Sequence, residues 1–334
     1  MADLEKTLCS PNLAEVRDRH LRRLRAVFSG STSEPFYLEG FSPPVSADPY
    51  TAPSDAVEEA LALLAAEADR MRDETVFRPL VVEFGLYGVH FVDRIFGANV
   101  YQRDGQWWSD PLGRPPGTLS APDLETSETW RQARAIAEAF LARRVSVPIF
   151  GLPTIASALN IAVNLHGPEF LAATATNPEL ARRDLQTINE VLIRLHTWYR
   201  ERIPAEQLQP VVATQRCQPP GFGQLCGCST HLLSAKAYRD LVAAFDDALL
   251  RAYPNGGMIH LCGHHVRHIP VWRQTASLRA VQMNDRAAED LEAYFHGLRG
   301  DQVIYLNPTP IITPKRAAGM TGGRRLVIVG SESV

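Results

Sequence analysis

His260 and Cys262 stand two residues apart at the end of a short apolar run, Met258-Ile259-His260-Leu261-Cys262, which Gly256 and Gly257 open and Gly263 closes. Such a run between glycines suits a buried strand better than a helix. That choice decides the chemistry. Side chains two apart on a strand point the same way, so imidazole and thiol would face one cavity; on a helix they would diverge by about 200 degrees. Imidazole nitrogen and thiolate sulfur together are zinc donors. Each residue also has a plainer reading, since cysteine is often a small buried hydrophobe and a strand histidine often only a hydrogen-bonding group. More thiols are close in sequence: Cys217, Cys226, Cys228 and Cys262 all fall between positions 217 and 262, and Cys9 stands apart. His264 and His268, four apart, could join a site from a helix; the competing reading places them on a solvated face. Two carboxylates follow apolar runs. Glu83 ends Leu80 to Phe84, where it could face a cavity or pair with an arginine, and Asp285 follows Leu278 to Met283, where it could serve as acid or base or cap the next helix.

The elements that must position these groups alternate. Strands are expected at 35–40, 80–84, 145–150, 211–214, 258–262, 278–283, 303–306 and 326–329. Helices are expected at 13–28, 55–72 with an Asp55/Glu58 capping box, 90–96, 130–143, 178–203 behind an Asn177 cap, 235–252 behind Ser234, and 286–298. Short apolar strands alternating with amphipathic helices predict a parallel sheet covered by helices, and about eight of them favour a closed (β/α)8 barrel. The proline-rich stretch Ser42 to Pro53 reads as a long loop after the first strand, a usual place for function. The chain reads as a single barrel domain over 1–334 with an N-terminal helical extension about 1–30.

Composition narrows the function. At 334 residues and 45% hydrophobic the chain can bury a large core, and a formal charge of -3 from interspersed acids and bases offers nucleic acid no basic patch. No run is long enough to span a bilayer, and the charged N-terminus lacks the apolar core of a secretory signal, so a soluble cytoplasmic protein with thiols rather than disulfides is expected. The basic helix 13–28 is expected to cap the fold rather than lie on a membrane.

A series of short segments, in their order along the chain, resembles the uroporphyrinogen decarboxylase superfamily, and within it the cobalamin-dependent thiol methyltransferases of the methylcobalamin:coenzyme M type. They are Phe84-Gly85 with Ile95-Phe96-Gly97; Gly151 and Ala158 to Leu165 before Gly167-Pro168-Glu169-Phe170; Asn177-Pro178-Glu179-Leu180; Leu232-Leu233-Ser234 with Tyr238; Ile259-His260-Leu261-Cys262-Gly263; and Leu306-Asn307-Pro308 ahead of a last helix and strand. The resemblance implies a distorted (β/α)8 barrel with its site at the C-terminal ends of the strands. It also implies zinc held by His260 and Cys262, a thiol or related methyl acceptor, a corrinoid as substrate or bound cofactor, and a corrinoid protein as a partner.

Two activities follow from that resemblance. Decarboxylation of uroporphyrinogen would require cations for eight carboxylates just after the first strand, yet Ala26 to Asp69 contains no lysine or arginine. Methyl transfer requires a metal that takes the proton from a thiol and leaves the sulfur nucleophilic. A third reading is a barrel that binds a corrinoid or a partner without catalysis. The family's later cysteine ligand follows a glycine after the last strand, where this chain reads Gly330-Ser331-Glu332, so Cys226, Cys228 and Glu332 are the candidates for the remaining ligand. Phe41, Tyr87, Trp107 and Trp108 are candidates to cover a large ring such as the corrin.

Overall fold

The run carrying His260 is a strand, and it lies near one end of a long parallel sheet in a computed structural model that describes residues 2–210 and 213–330. In chain order the strands are β1 (Phe36–Leu38), β2 (Val76–Phe77), β3 (Val81–Val82), β4 (Val100–Arg103), β5 (Gln106–Ser109), β6 (Ile149–Gly151), β7 (Leu208–Gln209), β8 (Gly223–Cys226), β9 (Gly257–Cys262), β10 (Leu278–Asn284), β11 (Val303–Leu306) and β12 (Leu326–Val329). Seven of them form one sheet in the order β2-β1-β12-β11-β10-β9-β8, and β3-β6-β7 form another. Every pair in both is parallel. Parallel neighbours need crossovers, and helices between successive strands supply them. β11 and β12 are covered on both sides, which is why they read as unbroken apolar runs rather than alternating ones.

The two sheets meet along one chain segment, because β2 pairs with β1 while β3, four residues on, pairs with β6. A parallel bridge from Phe41 to Leu80 lies in the same place. On the other side, between β7 and β8, the described residues form no ladder. Side-chain amides fill that seam: Gln209 Nε2 donates to Gln218 O at 2.7 Å, Gln218 N donates to Gln209 Oε1 at 2.8 Å, and Gln218 Nε2 donates to Gly223 O at 2.9 Å. All three glutamine bonds are buried, so they replace backbone pairs that would otherwise cost a desolvated donor or acceptor each.

Several local expectations are corrected. Of the strand expected at 211–214, Val211 and Val212 lie outside the described residues, and Ala213–Arg216 is a helical turn. The strands here are β7 and β8. β8 is hidden in the sequence because it reads Gly-Gln-Leu-Cys, and its Gly223 is needed where a Cβ would come 2.3 Å from the Tyr253 ring. Asn177 caps nothing with its side chain, although Pro178 does open the helix Pro178–Arg202. Helix Pro53–Ala66 begins before Asp55, and Glu58 pairs with Arg143 at 2.6 Å instead of closing a capping box.

Helix Pro178–Arg202 buries Leu185, Ile188, Val191, Leu192 and Leu195 completely. At roughly 1.5–3 kcal/mol per side chain, as an upper bound, that stripe alone outweighs its few polar contacts. At the N-terminus, helices Ala2–Leu8 and Pro11–Ser29 precede β1. The second buries Leu13, Leu21, Leu24 and Val27, and Arg17 Nη1 donates to Ser146 O at 2.6 Å. Its apolar face is thus used by the fold. No helix among the described residues is long and apolar enough to cross a membrane.

Candidate metal centre

Cys226 and His260 are paired in register across β8 and β9, so their side chains leave the sheet side by side. Two residues further on, Cys262 ends β9 and Cys228 opens the helical turn Cys228–Leu232 that follows β8. The chain thus presents Cys-x-Cys beside His-x-Cys, with the first donor of each pair joined by strand register and Cys228 placed by the turn. Cys226 Sγ lies 3.5 Å from Cys228 Sγ, Cys262 Sγ lies 3.1 Å from His260 Nε2, and the donor atoms of Cys226, Cys228 and His260 all fall within 4.8 Å of one another. Cys262 is not one of that group of three, but it interacts with Cys228 closely enough for that thiol to shift its own. The residue between the two thiols is glycine for a steric reason: a Cβ at Gly227 would come 2.4 Å from the Ile259 side chain.

The imidazole is oriented by a chain of amides. Gln282 is the register partner of His260 on β10, and its Oε1 faces His260 Nδ1. Gln282 Nε2 donates to Asn284 Oδ1 and Asn307 Oδ1, which leaves Oε1 as the acceptor. Nδ1 therefore carries the proton, and the Nε2 lone pair is directed at the thiols, as a metal-binding histidine requires. On the opposite side Asn160 Nδ2 donates to Cys226 Sγ at 3.4 Å, and Asn160 Oδ1 accepts from Ser229 N at 2.9 Å.

Charge is arranged in the same sense. The hydrogen-bonded contact with Cys228 holds the Cys226 and Cys262 thiols below the ordinary thiol range, against the effect of burial, and His260 helps both. Cys228 is pushed up by the same two neighbours and keeps the shared proton. Arg216, only 7% exposed, is pulled down by burial and held up by Cys226, Cys228, Cys262 and Glu83. A guanidinium so buried needs anions, and these thiols supply them. Three sulfurs, an oriented imidazole nitrogen and a compensating cation suit a soft divalent ion such as zinc.

The remaining candidate residues scatter. Glu83 follows β3 and fills space that Gly151 leaves open, since a Cβ at Gly151 would come 2.8 Å from Glu83 Oε2. Asp285 is exposed, has φ 47, and is close enough to Cys262 for its charge to raise that thiol. It opens a short helix whose Asn284 cap makes no side-chain bond. Glu332 lies outside the described residues. His264 is exposed and bonded to Asp290 at 2.7 Å, but His268 is fully buried, contrary to the solvated face expected for both. The helical expectation missed that His265 and His268 pack inward onto the loop bearing the thiols: His268 Nε2 donates to Thr230 O at 2.8 Å, and His265 Nδ1 lies 2.9 Å from Thr230 Oγ1. Tyr87 and Trp107 pack together, with ring centroids 5.1 Å apart. Phe41 instead lies under Arg70, and Trp108 points outward beneath Arg103.

Sequence reasoning passed over Gln282, Asn160 and Arg216. A signal existed for the first, a lone glutamine inside the apolar run Ala280-Val281-Gln282-Met283, but its partner is set by register and not by spacing.

No family model and no curated protein matches the chain. Among solved structures, a methyltransferase from Methanosarcina mazei superposes with a TM-score of 0.65 at 11% sequence identity, over 92% of this chain and 91% of that one. At that identity the likeness shows a common fold.

Proposed function

We propose that this chain is a zinc-dependent methyltransferase on a closed (β/α)8 barrel, moving a methyl group between a corrinoid and a thiol or related acceptor, with a corrinoid protein as a natural carrier. The observation that carries the reading is the convergence of Cys226, Cys228, His260 and Cys262 at the C-terminal ends of β8 and β9, where barrel enzymes keep their chemistry. The superposition on a solved methyltransferase supports the same class. When bound, zinc would supply the acidity that makes a thiol nucleophilic near neutral pH. The protein's own groups do the rest. Gln282 fixes the His260 tautomer, Arg216 offsets surplus thiolate charge, and Asp285, at the rim beside Cys262, is placed to receive a proton from an entering thiol.

A second reading has its own observation. Four protein donors can close a tetrahedral site, and closed sites are structural, which favours a barrel that binds its corrinoid or partner without turnover. One preparation separates the two. Purified protein is expected to carry about one zinc per chain and to demethylate methylcobalamin with a small thiol. Full zinc with no demethylation of free or protein-bound methylcobalamin would select the binding barrel, and a metal-free, fully active protein would remove zinc from the account.

A further inference from the structure

Cys226 and Cys228 flank a single glycine, and their sulfurs lie 3.5 Å apart. Two thiolates on one tetrahedral zinc ion stand roughly 3.8 Å apart, given Zn–S bonds of about 2.3 Å. The same pair can therefore be joined through an ion or, after a short approach, to each other in an S–S bond of about 2.05 Å. The backbone serves the second outcome as well as the first. Gly227 has φ -109 and ψ 22, a bend that stops β8 at Cys226. An extended residue holds the Cα atoms on its two sides about 6.7 Å apart, and a bend draws them toward the roughly 5.5 Å that disulfides favour.

The bend is fixed from both sides. Gly227 N donates to His260 O at 2.8 Å, and Gly227 O accepts from Thr230 Oγ1 at 2.8 Å. Cys226 is buried behind the turn and Cys228 is half-buried upon it. Cys262 is placed otherwise, on the neighbouring strand with its sulfur 3.1 Å from His260 Nε2. Closing the first pair needs no movement of β8 against β9, because both cysteines belong to one chain segment. Hydrogen peroxide suffices as oxidant. It transfers one oxygen to a sulfur, giving a sulfenic acid and one water; the other thiol attacks that sulfur, the S–O bond breaks, and the hydroxyl leaves with the thiol proton as a second water. Two thiols lose two electrons, and the peroxide gains them. His260 and Cys262 then remain as two donors, where even an open zinc site takes three from the protein.

We propose that Cys226-Gly227-Cys228 is a reversible oxidation site, which closes a disulfide when no metal is bound and shuts the metal out until it is reduced. The disulfide follows from the thiol pair alone; its effect on the metal rests on the zinc reading. The test treats the full chain with hydrogen peroxide, either stripped by a chelator or loaded with zinc. Alkylation counts the remaining thiols, and fragment mass spectra of digests locate the disulfide. The stripped protein is expected to lose two thiols, with the segment that carries Cys226 and Cys228 lighter by two hydrogens; the zinc-loaded protein should keep both thiols. Zinc affinity should fall at least a hundredfold in the oxidised protein and return with dithiothreitol. Cys262→Ser should still close the disulfide, and Cys226→Ser should not. Unchanged thiols in the stripped wild type, a disulfide that engages Cys262, oxidation to sulfinic acid instead, or undiminished zinc affinity after oxidation would overturn the switch. A disulfide in a chain that takes up no zinc when reduced would overturn the metal reading and leave the oxidation site in place. The wild type alone yields each of these outcomes, so none depends on a variant that folds.

Discussion

The two halves of the strand array are built to different specifications. On the side of β8, β9 and β10 the ladder is long, with β9 and β10 in register from Ala280↔Met258 to Asn284↔Cys262. On the side of β3, β6 and β7 each pairing is two residues long, and loops take over where strands stop. All four candidate metal donors stand on the first side, and a cavity lined by Pro43, Val45 and Glu83 stands on the second. A metal site tolerates displacements of tenths of an ångström, which a continuous ladder supplies. A ligand pocket is shaped more easily by loops, which need only a few anchors such as Glu59. The proposed metal chemistry thus falls on the long-ladder half, and the loop-built cavity on the short-stranded half.

Removing a donor tests the rigid half most severely. His260→Ala or Cys262→Ser should lower zinc affinity by about a thousandfold or more with the circular dichroism of the folded chain retained, since the hydrophobic core is independent of the metal. Cys228→Ser or Cys226→Ser should lower it by about tenfold or more, and Glu332→Gln should change it little. Zinc titration against a competing chelator reads all of these, and loss confined to Glu332→Gln would move the last ligand to the C-terminus.

Behind the same ladder, Asp246 makes a second test. Burial pushes its carboxyl up to about 7 from 3.8, with Asp247 adding to the shift and the hydrogen bond from Tyr238 Oη, at 2.8 Å, opposing it. The folded chain therefore holds a proton that the unfolded chain has lost across that interval. The stabilisation is full below the unfolded value and disappears as pH rises through about 7. Asp246→Asn should flatten this slope, worth up to about 4 kcal/mol between pH 4 and 8. Denaturant unfolding of both proteins across that range measures it; parallel profiles would show that Asp246 is ionised in the fold.

The smallest effect is expected one step from the metal. Gln282→Leu keeps the strand's apolar character but frees the His260 ring, and should weaken zinc by roughly tenfold. Gln282→Glu should restore most of the loss, because a carboxylate also accepts from Nδ1. Unchanged affinity in Gln282→Leu would mean that packing alone orients the ring.

Much of this was legible before any coordinates. The spacing His260-x-Cys262 placed both donors on one face because side-chain direction along a strand is a local property of two bonds. Helix Pro178–Arg202 announced itself through its periodic aliphatic stripe, and the loop Ser42 to Pro53 through its prolines. Asn177 and Asp55 misled because a cap depends on where the first turn actually begins, which packing decides.

What the sequence determined alone was the alternation of strand and helix, and the shared face of His260 and Cys262. Tertiary structure decided which pairs meet. Cys226 stands beside His260 only because β8 and β9 are in register, and Gln282 reaches Nδ1 only because β10 adds in register on the other side. Glu83 and Arg216 likewise come within each other's field from positions 83 and 216. Register is a collective choice, made by burial of whole apolar faces, so no window of neighbouring residues contains it.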